Sequence, residues 1–315
     1  MYGQRPKRIE PTKASQQSPG VPELSIVVAA REASNDFANF LNGLTQQVGG
    51  QQIEIIVAGC PSAAARISAA DYPSVAFIQL PEKATLPKLL QAGIARSRGG
   101  VIAITDTTCE PDPGWVRAIL EAHKAPAPVI GGAVEMNGFS RLTDWAAYFC
   151  EYGQFMMPLT NGPAAEVPGN NLSFKRRALD SGKEFTGDGF WKTYWCRKLQ
   201  EEGIELELRS SMIVYYKQTF ELLPFLVRRF HHGRCFAGMR VARASLLTRV
   251  AYATGSFLLP FVFFWRTVSR VVSKKRYLTR FFLSLPIIAL AVVSWSIGEC
   301  SGYLSGTGKS CAQVT

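Results

Sequence analysis

The chain has 315 residues, 47% of them hydrophobic and 19% charged, which is long enough for one large core and ordinary for a globular protein. Its formal net charge of +11 is concentrated: Lys217 to Arg280 holds ten arginines, three lysines and one acid, Glu221, so the remainder is near neutral. That concentration excludes a diffuse nucleic-acid-binding face and singles out one basic segment.

Residues 1–22 are polar, basic and rich in Pro, Gln and Ser, with no apolar core of the kind a signal peptide needs. They read as a disordered leader ahead of a cytosolic domain. From Glu23 onward, short apolar runs alternate with helical patterns. "LSIVVAA" (24–30), "IEIIVAG" (53–59), "VAFIQL" (75–80), "VIAIT" (101–105) and "PVIGGAVE" (128–135) read as buried strands. Between them, 35–47, 61–71, 86–99 and 113–124 read as helices; the first spaces Phe37, Phe40, Leu41 and Leu44 at three and four residues. Continuous apolar strands joined by helices predict a mostly parallel sheet covered on both faces. Ligands of such sheets sit at the carboxyl ends of strands, which directs attention to Ala30-Arg31, Gly59-Cys60-Pro61 and Asp106 onward.

The second half reads as an aromatic helix (141–156), a loop, short strand and helix start (166–179), a helix (187–203) and a strand (204–216). Two apolar stretches follow, 250–265 with Gly255 and Pro260, and 281–297 with Pro286. Both are short against the roughly 20 residues of a spanning helix. The linker Arg266–Arg280 carries six positive charges and no negative one. A two-span hairpin would put that linker outside, against the positive-inside rule. The preferred expectation is therefore that 250–265 lies at the cytosolic interface, 281–297 spans, and the tail is outside. A hairpin and a pair of buried core helices are the alternatives. Seven cysteines show neither C-x-x-C nor zinc spacing. The first five read as single buried thiols, while Cys300 and Cys311, in the one-span topology, face an oxidising side and could pair.

The order strand, helix, E-x-I-I-V, strand, "LPKLLQAGIARSRGGVIAITD" and C-x-P-x-P-G-W resembles a family-2 glycosyltransferase of GT-A fold over about Glu23 to Tyr216. "VPGNNLSFKRRAL" resembles that family's acceptor-side segment, and "RRFHHGRCFAGMR" with "GECSGYL" a membrane-anchored bacterial branch. The resemblance implies a nucleotide-diphosphate sugar donor and a divalent metal, Mg2+ or Mn2+, held by oxygen ligands after the fourth strand. Asp106 matches the first acid of the family's D-x-D signature; Thr108 stands at the second, leaving Glu110 and Asp112 as the other metal ligands. Donor-binding positions carried over are Ala30, Arg31, Gly59, Asp106, Arg229 and Arg234, with Arg229-Phe230 resembling an Arg-aromatic pair that contacts the diphosphate. Asn170, Asn171 and Trp191 fall on the acceptor side, and Asp188, then Glu184, are the nearest acids to the expected catalytic base.

Each position has a plainer reading. Asp106 suits a strand-end turn and Asp188 a helix cap. Asn170 and Asn171 suit a turn, and the arginines of 228–234 suit a face lying on anionic lipid. Three histidines, two adjacent, build no Ser-His-Asp arrangement, and neither a phosphate-binding G-x-x-x-x-G-K loop nor G-x-G-x-x-G follows the first strand. The expected organisation is a leader (1–22), a GT-A-like transferase domain (23–216), a basic amphipathic interface segment (217–249), membrane-associated helices (250–298) and a tail (299–315). The expected activity is sugar transfer to a lipid-linked or polysaccharide acceptor at the cytosolic side of a membrane. The alternative is an inactive, membrane-bound binding or scaffold relative, because Gly59, Thr108 and Lys192 stand where the family carries acids.

Overall fold

The computed structural model describes residues 20–31, 36–49, 52–64, 69–138, 141–180 and 189–314. In chain order these form β1 (Leu24–Ala30), α1 (Phe37–Val48), β2 (Ile53–Gly59), α2 (Pro61–Ala64), β3 (Val75–Gln79), α3 (Leu86–Arg96), β4 (Val101–Asp106) and β5 (Cys109–Pro111). Then come α4 (Trp115–Ala122), β6 (Val129–Met136), α5 (Leu142–Tyr152), β7 (Gly162–Ala164), β8 (Leu172–Lys175), α6 (Lys192–Glu201) and β9 (Leu206–Tyr216). Four helices complete the chain: α7 (Leu222–Arg240), α8 (Leu246–Gly255), α9 (Leu259–Lys274) and α10 (Leu278–Ser305).

One sheet runs β3-β2-β1-β4-β8-β6-β9-β5, with β7 added beside β9. The β3-β2-β1-β4 block and the β6-β9 pair are parallel, while β8 runs antiparallel between β4 and β6. Every residue of β1 is buried, so its alternating side chains feed two cores. Leu24, Ile26 and Val28 join the core under α1, α4 and α5, whereas Val27 and Ala29 join the one under α3 and α6. The α3 helix approaches β1 closely because Gly93 lacks a side chain; a Cβ there would lie 2.3 Å from Val27 Cγ1. That helix stops at Ser97 rather than running to the expected 99, the serine turning into extended backbone with its hydroxyl on the Ile94 carbonyl.

The strands at 24–30, 53–59 and 101–105 and the α1 stripe lie where periodicity puts them. Of the 61–71 pattern, Pro61–Ala64 form α2 and Ala69–Asp71 a turn of 3-10 helix, while residues 65–68 lie outside the described segments. The expected helix 187–203 contracts to α6, and its first two residues fall outside the described segments.

The topology expected for the C-terminal third needs correcting. Two helical stretches, Leu246–Lys274 and Leu278–Ser305, are long and apolar enough to cross a membrane. Yet α10 lies along the domain for its whole length. Phe281 stacks edge-on against Phe149, and Ile288 and Ala291 belong to the main core. Further along, Gly298 and Gly302 sit against the α7 backbone. The α9–α10 corner is tied down by Lys274 Nζ on the Met156 and Pro158 carbonyls and by Arg276 on the buried Glu135 carboxylate, 3.1 Å away. Past α10, Cys311 is bonded to Cys235 of α7. Both ends of α10 therefore meet the same domain, and a single span with the tail on the opposite side does not fit. The pairing expected between Cys300 and Cys311 is replaced by Cys235–Cys311, and Cys300 is a free thiol.

Candidate active site

The strand order reverses between β1 and β4, since β2 and β3 lie to one side of β1 and β4 to the other. The crevice at the carboxyl ends of these two strands is where an open α/β sheet takes a ligand. A cavity of about 340 Å³ opens there, with Ala29, Arg31 and Asp106 on its wall. Asn170, Trp191 and Lys192 also line it, and much of the remaining lining is apolar: Leu86, Pro87, Leu90, Phe190, Phe236, Met239 and Trp295.

Asp106 ends β4. Its Oδ1 accepts the Thr108 backbone N–H at 2.8 Å and also the Thr108 hydroxyl. Burial pushes its carboxyl above the ordinary range, while the two Thr108 bonds and the Arg228 charge pull it back. The residue at the second acidic position of the signature thus becomes a clamp on the first. Glu110 is paired with Lys217, and Asp112 accepts the Gly114 N–H at 2.8 Å and the Tyr215 hydroxyl at 3.1 Å. Neither lines this cavity. The three-carboxylate centre expected from Asp106, Glu110 and Asp112 is therefore not built: the backbone turns β5 away to pair with β9, and the two later acids go with it. The donor set fits a divalent cation only if Asp106 supplies one carboxylate oxygen and the other ligands are phosphate oxygens and water.

The cavity is rich in cationic groups: Arg31, Lys192 and Arg228 line it beside the His232 imidazole, and Asp106 is the only carboxylate among its described lining residues. Arg228 is held from behind. Its guanidinium lies 3.4 Å from the Glu151 carboxylate, donates to Gln218 Oε1 at 3.0 Å and sits over the Phe220 ring. Lys192, at a position where the family carries an acid, donates to the Val167 carbonyl at 2.8 Å. Asn170 donates to the Cys109 sulfur, and its buried Oδ1 has no partner among the described residues.

Other expected site residues do structural work. Asn171 is fully buried, donating to the Ala133 and Met212 carbonyls across the bulge where β6 and β9 shift register, and accepting from Trp115 Nε1. It holds the sheet, so the acceptor role does not suit it. Arg229 lies buried over the Trp295 ring, its centre 4.3 Å away, and 3.9 Å from Glu151, facing α10 rather than the cavity. Arg234 donates to the Gly306 carbonyl and the Ser305 hydroxyl. Arg229 and Arg234 are thus spent between helices and not on an outward face, whereas Arg228 lines the cavity. Ala30 and Gly59 are buried side by side in the β1–β2 ladder, behind the cavity wall that Ala29 forms. Glu184 and Asp188 lie outside the described residues.

Arg228 and His232 escaped the residue-by-residue reading. A signal for them existed: Arg228, His232, Cys235, Phe236 and Met239 recur at helical spacing and form the one face of α7 that lines the cavity.

Comparison with known proteins agrees with this geometry. The model of a family described as Glycosyl transferase family 2 matches residues 25–182. No curated protein sequence matches the chain significantly. Among solved structures, the mannosyltransferase PcManGT from Pyrobaculum calidifontis, in complex with GDP-Man and Mn2+, is similar with a TM-score of 0.55 at 14% identity, covering 89% of this chain and 88% of its own. That likeness shows the GT-A-like fold. A mycobacterial protein is similar over 63% of this chain and 68% of its own, with 14% identity and a TM-score of 0.44.

Proposed function

Because the chain belongs to glycosyl transferase family 2, we propose that it transfers a sugar from a nucleotide-diphosphate donor bound in the Asp106 cavity to an acceptor with an apolar, lipid-like portion. The observation that carries this reading is the charge pattern of the cavity: one described carboxylate at the β4 end shares the lining with Arg31, Lys192 and Arg228. Such a site favours a dianionic or trianionic ligand over a neutral one.

The roles follow from placement. Arg228, pre-oriented by Glu151 and Gln218, stabilises the charge that grows on the departing diphosphate. Arg31 offers a second guanidinium beside the end of β1. Asp106, with Oδ1 clamped by Thr108, would hold a divalent cation through its other carboxylate oxygen. When bound, Mg2+ or Mn2+ would neutralise the leaving group. Asn170 presents an unpaired carbonyl oxygen suited to a sugar hydroxyl. Asp188, next to Gly189 and the cavity-lining Phe190, is the proposed base for the acceptor hydroxyl, with Glu184 second. Calorimetry with UDP and GDP, with and without MnCl2, tests the reading. Binding should be lost, or weakened more than tenfold, in Asp106→Ala; absence of binding under every condition would refute it.

The apolar part of the cavity lining and the outer face of α8 and α9 support the acceptor class and a membrane location. Leu247, Phe257, Phe261 and Trp265 are each more than 70% exposed on one continuous layer over α10. Such a contiguous apolar face is uncommon on a protein surrounded by water. Exposed Arg243, Lys275 and Arg280 flank it, as a helix layer lying in an anionic leaflet requires. The layer is proposed to lie flat in one leaflet, on the side of the domain. Flotation should recover the protein with phosphatidylcholine–phosphatidylglycerol vesicles, and Phe257→Ser with Phe261→Ser should release it; unchanged flotation would overturn this part.

A further inference from the structure

The residues after α10 do not trail away. Gly306 ends the helix with φ +75°, and the chain doubles back over α7. Arg249 Nε holds the Tyr303 carbonyl at 2.8 Å, and Arg234 Nε holds that of Gly306. His231 Nδ1 and the buried Ser310 hydroxyl lie 3.0 Å apart, and Cys311 is bonded to Cys235. The segment then reaches the cavity, where Val314 becomes part of the lining and its carbonyl accepts from Arg31 at 3.5 Å.

We propose that residues 306–314 form a strap across the entrance of the Asp106 cavity, and that the Cys235–Cys311 pair is its redox latch. The proposal rests on the donor reading of that cavity. Three observations support it. First, the strap uses the Arg31 N–H that a donor phosphate would use, and it offers only a neutral carbonyl, a weaker partner than an anionic oxygen. An untethered strap should therefore yield to the donor. Second, the latch is on the catalytic helix. Cys235 lines the cavity two helical turns beyond Arg228, on the same α7 face. A covalent bond there keeps Val314 at high effective concentration over the entrance. Third, Gly306 and Gly308 both take positive φ, so the strap carries hinges on the helix side of the latch. Cys311 is only half-buried whereas Cys235 is buried, so Cys311 is the more accessible residue of the pair for thiol–disulfide exchange.

The chemistry balances with small thiols alone. Glutathione disulfide oxidises the two thiols, the protein gaining one S–S bond and two molecules of glutathione being released as thiols. A dithiol such as dithiothreitol reverses this, donating two electrons and two protons and closing to its own cyclic disulfide. In a reducing compartment the strap is unlatched, and oxidation shuts the site.

The test uses the whole chain in detergent, oxidised with glutathione disulfide or reduced with dithiothreitol, beside Cys311→Ser. Hydrogen exchange is read on peptides covering 306–314 and 101–110, and GDP and UDP are titrated in MnCl2. Reduction should speed exchange in both peptides and tighten nucleotide binding about tenfold, the factor expected if the latched entrance is open roughly a tenth of the time. The Cys311→Ser protein should match the reduced state under both conditions. Equal exchange in the oxidised and reduced wild type overturns the latch, as does a response confined to 306–314 with nucleotide affinity unchanged. If both peptides respond but neither nucleotide binds any form, the gate stands and the donor reading fails.

Discussion

Gly298→Ala probes the contact on which the site depends. The α7 and α10 helices run alongside each other, with Gly233 against the Trp295 carbonyl, Gly298 against that of Phe230 and Gly302 against that of Arg234. A Cβ on Gly298 would lie 2.1 Å from the Phe230 oxygen and 2.9 Å from the Phe230 carbonyl carbon. Ordinary contact begins near 3.4 Å, so the two backbones must part by about 1.3 Å, and no side chain can swing away to spare them. Overpacking of this kind costs roughly 1–3 kcal/mol, with the upper end expected where every close neighbour is backbone. Alanine returns about 0.5–1 kcal/mol through its better helix propensity. The net loss is then about 2 kcal/mol, or a fall in Tm of roughly 4–8 °C for a domain of this size. Gly43→Ala is the matched control, because nothing lies within 4 Å of a Cβ there and only the propensity gain remains. It should raise Tm by about 1–4 °C. Thermal unfolding in detergent, followed by tryptophan fluorescence, reads both. A Gly298→Ala protein that melts with or above the parent would refute the close-packed seam, and with it the account of how α7 is placed.

Two further outcomes follow from the same contacts. Arg228→Lys keeps the charge but loses the planar fork held by Glu151 and Gln218, so nucleotide affinity should fall about tenfold in calorimetry while Tm moves by less than about 2 °C. His123, buried with Nε2 beside the Ser173 hydroxyl, has its pKa lowered to about 4, first by burial and then by Lys175. Its neutral form is the folded form, so this stabilisation is complete above pH 6.5 and lost as pH falls from 6.5 toward 4. The difference amounts to roughly 3 kcal/mol. Urea midpoints between pH 7 and 4.5 should drop in the wild type and fall less in His123→Gln; parallel curves would refute it.

The half of the chain that forms the sheet was legible because its strands are buried on both faces and its helices on one. Continuous runs such as 24–30 and the three-and-four spacing of α1 admit few other readings. The ends of β1 and β4 followed from the sheet rule and brought Arg31 and Asp106 to the cavity wall. The C-terminal third was harder because apolarity does not say what covers it. The 281–297 run has enough apolar residues for a bilayer, but the α10 helix that contains it also packs on α5, α7, α8 and α9. Ser284 and Ser296 within it and Glu299 just beyond it are buried, and Glu299 accepts from Trp295 Nε1 and the Tyr303 hydroxyl. That polar content fits a helix packed against protein better than one facing lipid. The basic linker misled for the same reason: Lys274 and Arg276 are consumed by carbonyls and by Glu135, so they do not report on sidedness.

The exchange of Arg229 for Arg228 shows where motif matching stops and helical phase takes over. Neighbours on an α-helix point about 100° apart, so a match that is one residue out faces a different surface. The glycines of α7 fix that phase. Gly233 must face α10, because only a residue without a side chain tolerates the Trp295 carbonyl 2.2 Å from its would-be Cβ. Arg229 lies four residues earlier, one turn back on the same face, and so is committed to Trp295 and α10. Arg228 is rotated off that seam, and the residues sharing its phase, His232, Cys235 and Met239, all reach the cavity. The seam that excludes side chains between two helices is therefore what turns Arg228 toward the cavity, and it turns Cys235 there by the same rotation.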